Sequence, residues 1–423
     1  MANAILNSNA SSSLVAALDS VSATKNPLIY SYGSKNTLGS AHVPAHSRTV
    51  VEAQSTSIGW NQNIDFHIIK AGQLENCFLK LTIANTAAAH DAATLNTNYF
   101  NLVVEEIQLL TAGKVIMRNV PFGRACLMSQ KSFGVRKNME ALLQITRGGA
   151  TTAIADNASA TGYVPLLFSC FDVPELMYNS SFCEPMIVRV RLSTDNKYSN
   201  LVGGGQAAQS MVLTAASLIQ VHRQMPSQLE QAQISANYSD TESLVRVQNE
   251  VVCEETSKLV ANAAGQEITH TLTTNRCINK LFVAVEDSLV ANAGQYVEIQ
   301  DLEVKANGQT ILSVPAELVA LGLNLDTDRA NSGQCVGNFW EESSATVSTP
   351  HTTRIYCINF GMNSDHSAHL TNVVSAREIN AFTVKATFTG AGAREYKLRV
   401  GALTPFLESI NSASGKISTS LSS

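Results

Sequence analysis

The sequence predicts an all-β protein made of two consecutive antiparallel sandwiches, each of roughly eight short strands, with short helices in the loops. Three observations carry that expectation. The first is a repeat: VVEEIQLLTAGKVI at residues 103–116 and VEIQDLEVKANGQTI at residues 297–311 align when Gly113 is placed over Gly308, an offset of 308 − 113 = 195. The alignment pairs Val104 with Ile299, Ile107 with Leu302, Leu109 with Val304 and Ile116 with Ile311, so a whole pattern is duplicated. The second is short runs of alternating apolar and polar residues, punctuated by Gly, Asn and Pro. The third is length: 423 residues are enough for two or three domains, and the repeat favours two.

Taken in order, residues 1–28 are small and polar and sustain neither period, so they read as an arm that orders only against a partner. The first sandwich is expected over 29–225. It holds a strand with Phe66 and Ile68 in alternation, a turn around Gly72, and a strand with Leu79, Leu81 and Ile83. The repeated hairpin follows, then a helical stretch from Arg124. In PMIVRVRLS, Val188, Val190 and Leu192 take one face while Ile187, Arg189 and Arg191 take the other, a solvated or intersubunit one. SLIQVHRQMP closes the unit. A linker at 226–240 contains SQLEQAQ, helix formers behind a Ser cap candidate.

The second sandwich is expected over 241–407 and repeats the order of parts. LVRVQNEVVC opens it, and Leu281, Val283 and Val285 alternate as Leu79, Leu81 and Ile83 do. After the repeated hairpin a shorter helical stretch is expected from Pro315, since proline suits a first helical turn. Strands in RIYCINFGM, AFTVKATFTG and YKLRVGAL complete the unit, and 408–423 reads as a second small, polar tail.

Composition narrows the function classes. Charged residues are 15% of the chain, against about 25% in an ordinary soluble domain, and the formal net charge is −5. Such a surface repels its own copies little, and without a long basic cluster it lacks the footprint of sequence-specific nucleic-acid binding. The eight cysteines stand singly with no CxxC, as buried, reduced thiols would. The first twenty residues have no basic n-region and only a five-residue apolar run, too short for a signal peptide or a membrane span. Folding in a reducing compartment is the expectation.

No residue cluster announces a reaction. Walker A, GxGxxG, HExxH and GxSxG patterns are all missing. LTAGKV and KANGQT lie between strand patterns, where Ala-Gly and Asn-Gly are hairpin chemistry. The metal-ligating candidates are His42 and His46 in HVPAH, with Asp365, His366 and His369 in DHSAH, but both stretches are turn-rich and read as exposed loops. Phe122, Phe133, Phe168 and Phe171 read as core or interface. A metal-dependent bicupin-type enzyme is the alternative, since duplicated sandwiches occur there. That chemistry begins with a His-x-His pair, and the chain has none. No catalytic, cofactor or metal residue is assigned.

Together the motifs resemble the double jelly-roll major capsid proteins of icosahedral double-stranded DNA viruses, including large nucleocytoplasmic, virophage and polinton-like lineages. NIDFHIIKAGQLENCFLKLTI, with Lys70, Gly72, Gln73 and Leu74 at its turn, is similar to that family's early strand pair. VVEEIQLLTAGKVI, with Gly113 and Ile116, is similar to its strand-hairpin. YVPLLFSCFDVPELMYNSSFCEPMIVRVRLS is similar to the passage from a buried strand through a proline-bearing loop to a long strand. Near the C-terminus Tyr356, Phe360, Asn372, Ser375 and Arg377 follow the family's order, without its Pro-Ser-Gly. The resemblance covers most of residues 30–410. It implies two jelly rolls and a structural, non-enzymatic homotrimer forming pseudo-hexameric capsomers that tile a shell around a DNA genome. It also implies assembly inside the host cell, with neighbouring capsomers, minor capsid and penton proteins as partners, and leaves room for an internal membrane. The arm and tail would tie neighbours together.

Overall fold

The computed structural model describes residues 47–55, 58–86, 93–96, 98–131, 133–143, 152–155, 157–172, 177–180, 183–193, 199–201, 211–224, 243–288, 296–315, 355–360, 374–376, 379, 381–411 and 414–421. The first lobe contains β1 (Ser47–Gln54), β2 (Asn63–His67), β3 (Gln73–Asn85), β4 (Val104–Thr111), β5 (Lys114–Asn119), β6 (Ser159–Pro165), β7 (Met186–Leu192) and β8 (Met211–Gln224). They form two antiparallel sheets, in spatial order β1-β8-β3-β6 and β2-β7-β4-β5. Alternation decides which side chains meet between them. Leu79, Leu81 and Ile83 from one sheet and Ile107, Leu109, Val188 and Val190 from the other are all buried in one core. Three short strands, Ala93–Leu95, Thr152–Ile154 and Ser199–Leu201, add a separate small sheet.

The second lobe repeats the plan with β9 (Ser243–Val260), β10 (Gln266–Thr271), β11 (Lys280–Asp287), β12 (Ile299–Ala306), β13 (Gln309–Pro315), β14 (Tyr356–Asn359), β15 (Phe382–Phe388) and β16 (Arg394–Asn411). One sheet runs β9-β16-β11, with β14 on the far edge of β11, and the other runs β10-β15-β12-β13. Strand for strand this is the order of the first lobe. Its core holds Leu281, Val283 and Val285 against Leu302, Val304, Val384 and Ala386.

The repeated motif is the β4–β5 hairpin and its counterpart β12–β13. Both turn on two residues with positive φ, Ala112 (47°) and Gly113 (77°) in one, Asn307 (52°) and Gly308 (80°) in the other. That is the two-residue geometry whose twist suits a hairpin. Both also carry a β-bulge two residues into the pairing, between Leu109 and Leu110 and between Val304 and Lys305. The bulge accommodates Ile116 and Ile311, aligned as the sequence expects, yet Ile116 is buried and Ile311 is 44% exposed.

Three helices lie in the first-lobe loops: α1 (Tyr99–Leu102), α2 (Pro121–Ser129) and α3 (Phe133–Leu142), with a single turn, α4 (Ser169–Asp172), nearer the lobe boundary. The helical stretch expected from Arg124 starts three residues earlier, because Pro121 takes the first helical position that its missing N–H permits.

Two expectations are corrected. Pro315 closes β13 instead of opening a helix; residues 316–354 lie outside the described residues. The stretch 408–423, read as a polar tail, holds the end of β16, which runs through to Asn411, and a further strand, β17 (Ile417–Leu421), hairpinned onto it. The small, hydroxyl-rich composition hid a strand that needs only Ile417 to anchor it: Ile417 is 3% exposed and sits in the first-lobe core with Phe406 and Ile410. The arm at 1–28 and the linker at 226–240 lie outside the described residues.

Candidate functional site: the seam between the lobes

The two lobes are joined by side chains that the repeat alone does not foretell. α2 leaves the first lobe's β5 and lays Phe122, Ala125 and Cys126, one helical face by their spacing, on the outer face of the second lobe's β9-β16-β11 sheet. There they pack with Val251, Phe282, Ala284, Tyr296, Ile355 and Cys357. Phe122 meets Tyr296 edge to face, with ring centroids 5.9 Å apart, and such pairs add to simple area burial. Gly401 permits the approach, since a Cβ there would stand 3.1 Å from Val251 Cγ1, 3.3 Å from Cys126 Sγ and 3.4 Å from the Phe122 ring.

β11 explains itself at this seam. Every residue from Lys280 to Asp287 is buried: the odd positions face the second lobe's core and Phe282 and Ala284 face α2. The contiguous LFVAV run was the available signal, because a strand buried on both faces loses its alternation.

Polar groups fix the seam's register. Arg124, 1% exposed, donates from Nε to Asn101 Oδ1 at 2.7 Å, from one terminal nitrogen to Asn119 O at 3.1 Å, and from the other to Asn101 O at 2.6 Å and to Val104 O. Burial pulls its guanidinium down to about 9. Gln130 Oε1 accepts from Lys280 Nζ at 3.1 Å across the lobes. A second network runs Ser169 Oγ to Gln248 Oε1 at 2.6 Å and Gln248 Nε2 to Glu408 Oε2 at 3.1 Å, and the Tyr178 hydroxyl donates to Glu408 Oε1. Here β9 and β16 of the second lobe are held by side chains of the first. Glu184 N donates to Gly415 O at 3.0 Å, tying the β16–β17 turn to the first lobe as well.

A cavity of about 340 Å³ lies along the same seam, lined by Glu106, Arg118, Glu250, Arg276, Cys253 and Phe406 among others. Its charges answer one another. Glu250 accepts from the backbone N of Arg118 at 3.0 Å and pairs with Arg276 at 2.9 Å. Burial pushes the Cys253 thiol up to about 12 and the Cys126 thiol well above its ordinary range, so neither offers a thiolate at neutral pH. Among the described residues no histidine lines the cavity.

Elsewhere, Arg189 and Arg191 stand on the outer face of β7 as expected, paired to Asp65 at 2.7 Å and Glu105 at 3.1 Å. Seven cysteines are among the described residues, five of them buried. Phe122 belongs to the seam, and Phe168 and Phe171 to the first core. His42, His46, Asp365, His366 and His369 lie outside the described residues. Among the described residues no three His, Cys, Asp or Glu side chains converge as a metal site would require.

No protein-family profile matches the sequence, and no curated protein matches it. Solved structures do. The capsid protein in the quasi-atomic capsid of the virus PBCV-1 superposes with a TM-score of 0.64 at 12% identity, over 90% of this chain and 97% of that one. The Faustovirus major capsid protein gives 0.59 at 9% identity, over 86% and 90%. The mavirus major capsid protein gives 0.54 at 12% identity, over 88% and 90%. All three are double jelly-roll proteins. The chain has the double jelly-roll fold. Each jelly roll is complete, and the seam built by α2, Phe122 and Gly401 is what makes the pair of them one body.

Proposed function

We propose that this double jelly-roll protein is a structural capsid subunit that trimerises into pseudo-hexameric capsomers and tiles an icosahedral shell around a DNA genome. The observation that carries the reading is the strand-for-strand equivalence of two lobes fastened side by side. Three copies present 3 × 2 = 6 similar lobes, so a threefold assembly acquires a nearly hexagonal outline and can pack into a sheet. The low charge of 15% suits a molecule whose sides are buried against its own copies. The working parts are the seam, which keeps the outline rigid, and the lobe surfaces that meet neighbours. No catalytic step is assigned. Capsomers of this kind belong in a virion, beside neighbouring capsomers and the minor and penton proteins that fill its edges and vertices.

Native mass spectrometry of the untagged chain tests this directly. The expected species is metal-free and near 136 kDa, three times the 45.3 kDa chain. A metal-bearing monomer or dimer would overturn the capsid reading and point to the bicupin-type enzyme.

A further inference from the structure

Four residues on the outer face of the second lobe's β9-β16-β11 sheet fall in one row across the strands. Cys253 on β9 pairs with Gly401 on β16, Gly401 with Phe282 on β11, and Phe282 with Cys357 on β14. Directly paired residues share a face, and α2 lies over this one. Cys126, Phe122, Phe282 and Cys357 form one apolar cluster there, with Cys253 packed against it.

The row decides which sulfurs can meet. Cys126 stands over the glycine: a Cβ on Gly401 would lie 3.3 Å from its Sγ. Strands are about 4.8 Å apart, so Cys253 is one strand from that point, while Cys357 is two strands away, behind the Phe282 ring. Cys253 and Cys357 are three strands apart, about 14 Å, which is beyond the reach of a disulfide. The helix selects the same pair. A Cβ on Gly123 would lie 3.5 Å from Cys253 Sγ. Gly123 is one turn before Cys126, and helical side chains lean towards the N-terminus. Each thiol therefore rests against a glycine of the other element, and those two glycines let the helix and sheet backbones approach closely. Burial first, and then charge on Cys253, push the Cys126 thiol up.

We infer that Cys126 and Cys253 are an oxidation site, a dithiol across the seam that a small-molecule disulfide converts into a covalent link between the lobes. The inference goes beyond the capsid reading and does not depend on it. Access sets the order of steps. Cys253 is partly exposed and lines the cavity of about 340 Å³, whereas Cys126 is fully buried. Cys253 Sγ, as its thiolate, attacks one sulfur of the reagent, forming a mixed disulfide and releasing one thiolate. Cys126 Sγ then attacks Cys253 Sγ, closing the new S–S bond and releasing the second. The dithiol gives up two electrons and two protons, and the reagent leaves as two thiols. Burial keeps both groups protonated at neutral pH, so the exchange is slow in the closed seam and is driven in mildly alkaline buffer. The bond closes a loop of 253 − 126 = 127 residues, and long loops are where a cross-link restricts the unfolded chain most.

The test incubates the full chain, in its native oligomeric state, with hydroxyethyl disulfide in mildly alkaline buffer. Remaining thiols are then alkylated on unfolding, and the intact mass and the non-reduced peptide map are read. The expected product is a single chain two hydrogens lighter, with Cys126 and Cys253 joined in one peptide pair. Its thermal midpoint should rise by about 5 °C, and reductant should reverse the rise. Cys253→Ser should abolish the product, and Cys357→Ser should leave it unchanged. Both thiols recovered alkylated, Cys253 trapped as the mixed disulfide, Cys126 joined to Cys357, or a link between chains would each overturn the site. So would a cross-link that lowers the midpoint, because the native seam then does not hold the two sulfurs within reach.

Discussion

Arg124 shows what keeps a guanidinium out of water: four acceptors in the fork's own geometry, three of them main-chain carbonyls. Replacing it with Leu removes the donors and leaves those buried oxygens short of partners, so Arg124→Leu should cost about 3 kcal/mol in urea unfolding. A cost below about 1 kcal/mol would mean that water reaches the site. The sequence offered no sign of this, because a helical arginine most often points to solvent and the acceptors, Asn101 and Asn119, come from other elements. His222 makes a pH-dependent case. It is buried on β8, and desolvation lowers its pKa from 6.5. The unfolded chain therefore takes up a proton near 6.5 that the folded chain resists. The stability from neutral burial is full above that value and is lost as pH falls towards the lowered folded value. Between about pH 7 and 5 the wild-type urea midpoint should fall, and His222→Gln should flatten that part of the slope; an unchanged slope would assign the titration to another group.

The elements were the legible part, since hairpin chemistry is local. Alternating Leu79, Leu81 and Ile83, the Asn-Gly turn and the duplicated apolar pattern all sit where the sequence places them. Two copies of one hairpin also make a built-in comparison. Both first turn residues have left-handed φ, but the first copy uses Ala112 where the second uses Asn307. Asn tolerates that region better than Ala, so Ala112→Asn should stabilise by about 0.5 kcal/mol and Asn307→Ala should cost a similar amount. Opposite signs at matched sites in thermal unfolding are the check. At Gly162 the reason for glycine differs: a Cβ would come within 2.2 Å of the Phe100 ring, so Gly162→Ala should cost 2 kcal/mol or more, of the order expected for overpacking. β17 was the illegible element. Its strand identity comes from pairing with β16 and from one anchor, Ile417, while its remaining residues carry no period strong enough to read. Ile417→Ala should therefore cost about 2 kcal/mol, and should do so by loosening the first lobe, to which the strand is distant in sequence.

At the scale of the whole molecule, the duplication announced two lobes but not how they are fastened. Each lobe's pattern is satisfied by its own core, so the seam could show in sequence only as excess: apolar residues where alternation calls for polar ones. LFVAV in β11 is that excess, and Phe122 and Cys126 on α2 are its other half. Because the first-lobe core also includes Phe406, Ile410 and Ile417 from the second unit's strands, neither lobe buries its apolar surface fully alone. Unfolding one lobe strips cover from the other, which makes a single calorimetric transition the expectation for the wild type. Gly401 is where that coupling can be broken with least damage to either core. In Gly401→Val the added atoms enter a space already within 3.1–3.4 Å of Val251, Cys126 and Phe122, forcing α2 away from the sheet while leaving both sets of strands intact. The variant should unfold in two transitions, with the circular-dichroism spectrum of the native state preserved. Two transitions in the wild type would instead mean that the lobes are independently stable and that the seam does not couple them.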